Sequence, residues 1–124
     1  MADTEDTFEE DDAQRYEGLP EAWSLSAREV VVQVLEENPH LDAAGKSIVY
    51  EAAALVALAD RCYEQVTKDG MMVPGSSGQL VEHPLIGHER QARSQAAAAL
   101  KQFVKGAGSA TKAGQNLVAS RWRP

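Results

Sequence analysis

Residues 42–70 read DAAGKSIVYEAAALVALADRCYEQVTKDG, and this segment carries the strongest helical pattern in the chain. Its apolar side chains recur alternately four and three positions apart, so they lie along one face of a helix. These residues are Ile48, Ala52, Leu55, Ala59, Cys62 and Val66. Asp42 is a suitable N-cap and Gly70 a suitable C-terminal stop. About 27 residues, each rising about 1.5 Å, predict a helix roughly 40 Å long over about residues 43–68.

A second long helix is predicted from Pro84 to Val104, because proline suits the first turn of a helix. Its buried side is expected to carry Leu85, Ala92, Ala96, Ala99, Leu100 and Phe103. Residues 70–83 join the two helices. There, apolar segments flank the turn-forming stretch 74–78, which predicts a turn or a small two-stranded ribbon. The sequence therefore predicts a long antiparallel helical hairpin.

A shorter helix is predicted over about residues 27–37, ahead of the hairpin. Ser26 followed by Glu29 matches a capping box, and the apolar run after it stops at Asn38-Pro39. The valines in this run would also suit a strand, but the cap favours a helix. The predicted fold class is mainly all-α, with residues 22–105 forming one helical oligomerisation domain. Because only 6% of residues are aromatic, we expect subunits to associate into an oligomer in order to bury more apolar surface.

Charge is distributed unevenly along the chain. Residues 1–21 hold nine acidic side chains against Arg15, a net charge of -8, whereas the whole chain carries -7. From Arg90 onward there are seven basic side chains and no acidic one. This pattern predicts a disordered acidic tail over residues 1–21 and a flexible basic segment over residues 106–124. The tail either keeps the protein in solution or competes with DNA for the basic segment.

Nothing in the sequence indicates an enzyme, a cofactor or a metal site. Gly45-Lys46-Ser47 resembles the end of a phosphate-binding loop, but His40 stands where that loop needs a glycine. The histidines and Cys62 lack a metal-ligand spacing, and Cys62 fits the buried face of the first long helix. The acidic N-terminus is unlike a signal peptide, and no apolar run is long enough to cross a bilayer. We therefore expect a cytoplasmic protein with no membrane partner.

The connector and second helix carry a family resemblance. The stretches GMMVPGSSGQLVEHPL, residues 70–85, and IGHERQARSQAAAALKQF, residues 86–103, follow the long first helix. Together these elements resemble the small subunit of tailed-bacteriophage terminases, over about residues 26–118. The resemblance implies a non-enzymatic packaging factor that forms a homo-oligomeric ring and recognises viral double-stranded DNA in the host cytoplasm. It also implies that the DNA is handed to the large terminase subunit, which carries the ATPase and nuclease.

Three sets of residues are candidates for these contacts. Packing within and between subunits is assigned to Ile48, Leu55, Val56, Tyr63, Leu100 and Phe103. Phosphate contacts with DNA are assigned to Arg90, Arg93, Lys101, Lys105, Lys112, Arg121 and Arg123. Docking to the large subunit is assigned to Arg121, Trp122 and Arg123, residue types enriched at binding hot spots.

Two other functions remain open at this point. One is a helical adaptor or scaffold whose acidic tail binds a basic partner protein. The other is a small DNA-binding regulator. Base-specific readout is not expected, because no recognition helix of the helix-turn-helix kind is evident.

Overall fold

The computed structural model describes residues 13–104, which are mainly helical, as the sequence predicted. After a helical turn at residues 13–15, three helices follow: α1 (Leu25–Glu37), α2 (Ala43–Asp69) and α3 (Pro84–Leu100). Between α2 and α3, strands β1 (Met72–Pro74) and β2 (Leu80–Glu82) pair antiparallel as a small ribbon. A short 3-10 helix (Lys101–Phe103) follows α3. The predicted segment 106–124 lies outside the described residues.

Local signals at its two ends set the length of α2. The Asp42 carboxylate accepts a hydrogen bond from the Gly45 N–H at 2.8 Å, which satisfies one of the free amides of the first turn. At the other end Gly70 adopts a φ of 88°, which favours glycine, and its N–H donates to the Val66 carbonyl at 2.7 Å. Both predicted ends of the helix are confirmed.

Helices α2 and α3 run alongside each other in opposite directions, because their contacts occur in reverse order. The last residue of α2, Asp69, contacts His83 just before α3 begins. Further back, Asp60 contacts Arg93 in the middle of α3, and the first half of α2 packs against Phe103. Between these points the buried side chains are small: Ala52, Ala59, Ala92 and Ala96. Alanine lets two helix backbones approach closely, so the pair is tightly packed but buries little bulky side chain.

The main core cluster joins all three helices. It contains Val31 from α1, Val49 and Ala53 from α2, and Phe103 after α3. Partly buried apolar residues surround it: Leu19, Trp23, Val30, Val34, Leu35, Leu41, Ile48 and Leu100. The largest side chains that are almost fully buried are valines, so the described chain has a thin core.

The predicted capping box at the start of α1 is wrong. Ser24, not Ser26, is the N-cap residue, and its side chain makes no capping hydrogen bond. Both serine hydroxyls instead donate to the Asp60 carboxylate of α2, each at 2.5 Å. Glu29, the other half of the predicted box, binds Arg15. The two serine side chains therefore bind a carboxylate on another helix instead of the free backbone amides at the start of α1.

Helix α3 is shorter than the predicted span of 84–104. Its α-helical hydrogen bonding stops at Leu100, and the tighter 3-10 turn carries Phe103 into the core cluster. Phe103 is 8% exposed, whereas Val104 is 61% exposed. Within residues 13–104, Phe103 is the last side chain that belongs to the core cluster.

Residues 13–21, which we call the N-terminal strap, contact the domain, unlike the tail predicted over residues 1–21. Arg15 donates to Glu29 at 3.2 Å and to Glu36 at 3.4 Å. Tyr16 donates its hydroxyl hydrogen to Glu29, and the Arg28 guanidinium lies 5.2 Å from the centre of the Tyr16 ring. Residues 1–12, which hold most of the predicted acidic tail, lie outside the described residues.

Candidate nucleic-acid and subunit-contact surfaces

Two of the candidate DNA-binding residues lie on the outward face of α3 and its 3-10 extension. Arg90 and Lys101 are both exposed and stand eleven positions apart, which is about three turns or about 16 Å. Ser94 and Ala97, also exposed, lie between them on the same face. Within residues 13–104 neither base forms an ion pair, so both charges face solvent and can contact phosphate.

Arg93 is placed differently, although it lies only three residues from Arg90. Its Nε donates to Glu89 at 2.8 Å and its terminal nitrogen donates to Asp60 at 2.9 Å. These hydrogen bonds, with Glu89 first and Asp60 second, raise the pKa of Arg93 above its ordinary value. The Arg93 charge is thus already matched by two carboxylates, and its geometry is that of a link between α3 and α2.

Asp60 is the junction where the three helices meet, a role that the sequence reasoning missed. It accepts hydrogen bonds from Ser24 and Ser26 at the start of α1 and from Arg93 on α3. Burial pushes the pKa of Asp60 upward, but the three donors outweigh burial and hold the pKa below its ordinary value. No local signal marks this residue, because its partners are more than thirty positions away.

The six candidate packing residues divide into two groups. Phe103 is in the core cluster, and Ile48 and Leu100 pack against that cluster. Leu55 and Val56 are half-buried, and Tyr63 is 58% exposed. Ile48, Leu100 and Phe103 thus pack within the chain. Leu55, Val56 and Tyr63 leave apolar surface exposed that a neighbouring subunit can contact.

A shallow groove between α2 and α3 adds a residue that the prediction omitted. It is lined by Leu55, Leu58, His88, Gln91, Ala92 and Gln95, none of which is acidic or a lysine or arginine. Leu58 is 50% exposed although it is apolar. Its position three residues after Leu55 places it beside the predicted stripe, and this spacing could have identified it.

A family model described as phage terminase, small subunit, matches residues 26–104. The chain belongs to the phage terminase small-subunit family. The match includes nearly all of α1 and the whole of α2, the ribbon, α3 and the 3-10 turn. It confirms the family resemblance carried by the connector and second helix. No curated protein and no solved structure matches the chain.

In this terminase small subunit, His83 joins the end of α2 to the start of α3. This histidine is buried, and its Nδ1 accepts a hydrogen bond from the Leu85 N–H at 3.1 Å, so it caps the start of α3. Because Nδ1 is an acceptor, Nε2 carries the hydrogen and donates to Asp69 at 2.9 Å. Hydrogen bonds from Gln65 and then His83 lower the pKa of Asp69. The end of α2 is thereby held to the start of α3.

The remaining candidate residues of the family member lie outside the described range. They are Lys105, Lys112, Arg121, Trp122 and Arg123. Among residues 13–104 there is no group of three or more histidine, cysteine or acidic side chains placed to hold a metal ion. No helix in that same range combines the length and apolar content that a bilayer crossing requires.

Proposed function

We propose that this protein is the non-catalytic DNA-recognition and packaging-initiation subunit of a phage terminase. In this proposal, copies form a ring that binds viral double-stranded DNA in the host cytoplasm and recruits or regulates the large subunit, the ATPase and nuclease. The observation that carries the proposal is the family match over residues 26–104, which includes the whole helical hairpin.

The proposed DNA contacts are made to phosphates rather than to base edges. Arg90 and Lys101 are exposed without ion pairs inside the described chain. The other candidates in this set are Lys105, Lys112, Arg121 and Arg123, which follow in a stretch without acidic residues. Each contact is weak, but a ring repeats the set around its circumference, so that the contacts act together. Arg93 supports the proposal less, because Glu89 and Asp60 already bind it.

The proposed subunit contacts involve the apolar side chains that the hairpin leaves partly uncovered. Leu55, Val56 and Tyr63 are these residues among the original candidates, and Leu58, which lines the groove beside Leu55, is a further one. Ile48, Leu100 and Phe103 support the interface from within by holding the hairpin together. Burial of this exposed apolar area on association would add hydrophobic stabilisation to that which the thin core provides.

Salt-dependent binding of labelled double-stranded DNA tests the phosphate contacts. Replacing Arg90 or Lys101 with glutamine should weaken binding and flatten the plot of log affinity against log salt by about 0.9 for each phosphate that the variant no longer binds. Arg61→Gln is the matched control, because Arg61 is exposed on α2, outside the candidate set. Equal effects of all three changes would mean that only overall charge matters, and salt-independent binding would contradict the proposed contacts.

Docking of the large subunit is proposed for the last residues of the chain, Arg121, Trp122 and Arg123. Deleting residues 121–124 should reduce binding of the large terminase subunit in a pull-down while leaving DNA affinity nearly intact. Equal loss of both activities would assign these residues to DNA instead.

A further inference from the structure

The ribbon exposes large apolar side chains at the end of the hairpin. Met72 is 53% exposed and Leu80 is 67% exposed. Side chains along a strand alternate between two faces, so Met72 and Pro74 lie on one face of β1. Their partners across the ribbon, Glu82 and Leu80, lie on the same face. A six-residue sheet thus carries apolar surface that nothing in the described chain covers.

The register of the ribbon decides which backbone groups are free. The His83 N–H donates to the Met71 carbonyl at 2.7 Å, and the Gly75 N–H donates to the Gln79 carbonyl at 2.6 Å. In an antiparallel pair, hydrogen-bonded and non-hydrogen-bonded residue pairs alternate. The pairs Met72 with Glu82 and Pro74 with Leu80 are therefore non-hydrogen-bonded. Their backbone groups point away from the ribbon, along its two outer edges.

The two edges offer different sets of groups. The β2 edge presents the N–H and C=O of both Leu80 and Glu82. The β1 edge presents the N–H and C=O of Met72 but only the C=O of Pro74, because proline has no N–H. Each edge therefore presents donors and acceptors that the other edge can bind, but the β1 edge has one donor fewer. A contact between unlike edges is heterologous, and it generates a ring when the rotation closes.

We infer that β2 of one copy pairs antiparallel with β1 of the next copy, so that the ribbons form an intermolecular sheet. Glu82 exchanges two hydrogen bonds with Met72 of the next copy, and the Leu80 N–H donates to the Pro74 carbonyl of that copy. The missing N–H of Pro74 leaves only the Leu80 carbonyl to be satisfied by water. The inference rests on the proposed ring and assigns one of its contact surfaces.

Side-chain placement favours this pairing over the symmetric alternative. Between unlike edges, Leu80 lies beside Pro74 of its own ribbon and Pro74 of the next, so that an exposed leucine gains an apolar neighbour on each side. Pairing two β2 edges about a two-fold axis, in the register that engages both outward-facing residues of each edge, would instead put Leu80 beside Glu82 of the other copy. That arrangement would leave the leucine against a carboxylate and would produce dimers.

Mixed disulfide trapping tests the contact. Met72→Cys and Glu82→Cys are prepared as separate proteins, mixed to allow exchange of subunits, and oxidised. Hydrogen-bonded antiparallel residues lie about 5.5 Å apart between Cα atoms, which a disulfide spans. A covalent dimer should form in the mixture and not in either protein alone. The unchanged protein is the control, because Cys62 is buried and its own disulfide should not form.

Other outcomes overturn the inference and separate it from the proposed function. Trapping in a mixture of Leu80→Cys with Glu82→Cys, and not in the first mixture, would show the two-fold arrangement. A ring-sized assembly without trapping would refute the ribbon contact and leave the proposed function standing. A monomer at every concentration would contradict both.

A backbone variant gives a second readout. Leu80→Pro removes an outward N–H without touching the hydrogen bonds inside the ribbon, whereas Leu80→Ala keeps that N–H and removes only the side chain. Loss of one hydrogen bond between neighbouring copies should raise the concentration at which the assembly dissociates by about tenfold per subunit interface. We expect this rise for Leu80→Pro beyond that of Leu80→Ala, with an unchanged circular dichroism spectrum. Equal dissociation of the two variants would refute the backbone pairing.

Discussion

Replacing Asp60 with alanine should lower the free energy of unfolding by about 2 to 3 kcal/mol. Asp60 accepts hydrogen bonds from Ser24, Ser26 and Arg93, so the change releases the start of α1 and the middle of α3 at once. A hydrogen bond to a charged group contributes about 1.5 to 3 kcal/mol when its partner is removed. Adding three such contributions would overestimate the loss of unfolding free energy, because the Asp60 side chain is 20% exposed and the freed serine hydroxyls can bind water.

The assay is urea unfolding followed by circular dichroism, with mutant and unchanged protein at the same concentration because association adds to stability. Glu64→Ala is the matched control: Glu64 is exposed on the same helix, and an isolated surface change should stay within about 0.5 kcal/mol. The reasoning is refuted if Asp60→Ala costs no more than Glu64→Ala.

The effect of Asp60 also depends on pH, with a definite sign. The pKa of Asp60 is lower in the folded protein than in the unfolded chain. Its stabilisation is therefore complete above the unfolded value of about 4 and is lost as the pH falls through the lower folded value. The difference between the unchanged protein and Asp60→Ala should shrink below about pH 4. A difference that stays constant on acidification would contradict the ionised junction.

Phe103→Ala should cost about 3 to 4 kcal/mol in thermal unfolding, because it removes the largest side chain of the core cluster; a loss below about 1 kcal/mol would mean that the phenyl group contributes little to the core. Arg93→Gln should lower stability by about 1 kcal/mol or less and leave DNA affinity nearer to the unchanged protein than Arg90→Gln does; the reverse order in a DNA titration would show that Arg93 contacts phosphate. Hydrogen bonds from Arg15 and then Tyr16 lower the pKa of Glu29 to about 2, so the strap contact should persist above the ordinary value of 4.5 and weaken as the pH falls toward 2. Limited proteolysis of the strap with an acid-active protease follows this change, and Glu29→Gln should abolish the pH dependence; a Glu29→Gln protein that retains it would rule out this cause.

The helical elements could be predicted because their signals are local. Asp42, Gly70 and Pro84 each act within one turn of the helix end that they define, so sequence alone placed those ends within a residue. The ribbon was predictable for the same reason, since apolar stretches flank a short turn. The family could also be identified from the order of these elements.

Contacts between distant residues could not be predicted in the same way. Ser26 and Glu29 have the spacing of a cap, but their side chains bind Asp60 and Arg15 instead of the backbone at the start of α1. Composition places residues 13–21 in the acidic tail, because it reflects their net charge. It does not indicate that Arg15 binds carboxylates on α1. In both cases the deciding partner is more than ten positions away.

The candidate site was also predictable only in part, since its long-range contacts could not be read from the sequence. A stretch of bases without acids identified the region, but Arg90 and Arg93 are equivalent in composition. Three positions turn a helical residue by about 300°, which carries Arg93 from the outward face toward Asp60. Which basic side chain is free for phosphate therefore depends on the packing of α2, α3 and the start of α1.

The most direct test of the proposed function is the mass of the purified protein in solution, measured by light scattering coupled to gel filtration at low and moderate salt. One chain has a mass of 13.4 kDa. A discrete assembly of many copies, stable at both salt concentrations, is the predicted result, because its contacts are apolar and backbone contacts rather than surface ion pairs. A monomer or dimer at every concentration would contradict the ring and leave an adaptor or a small DNA-binding regulator as the better explanation.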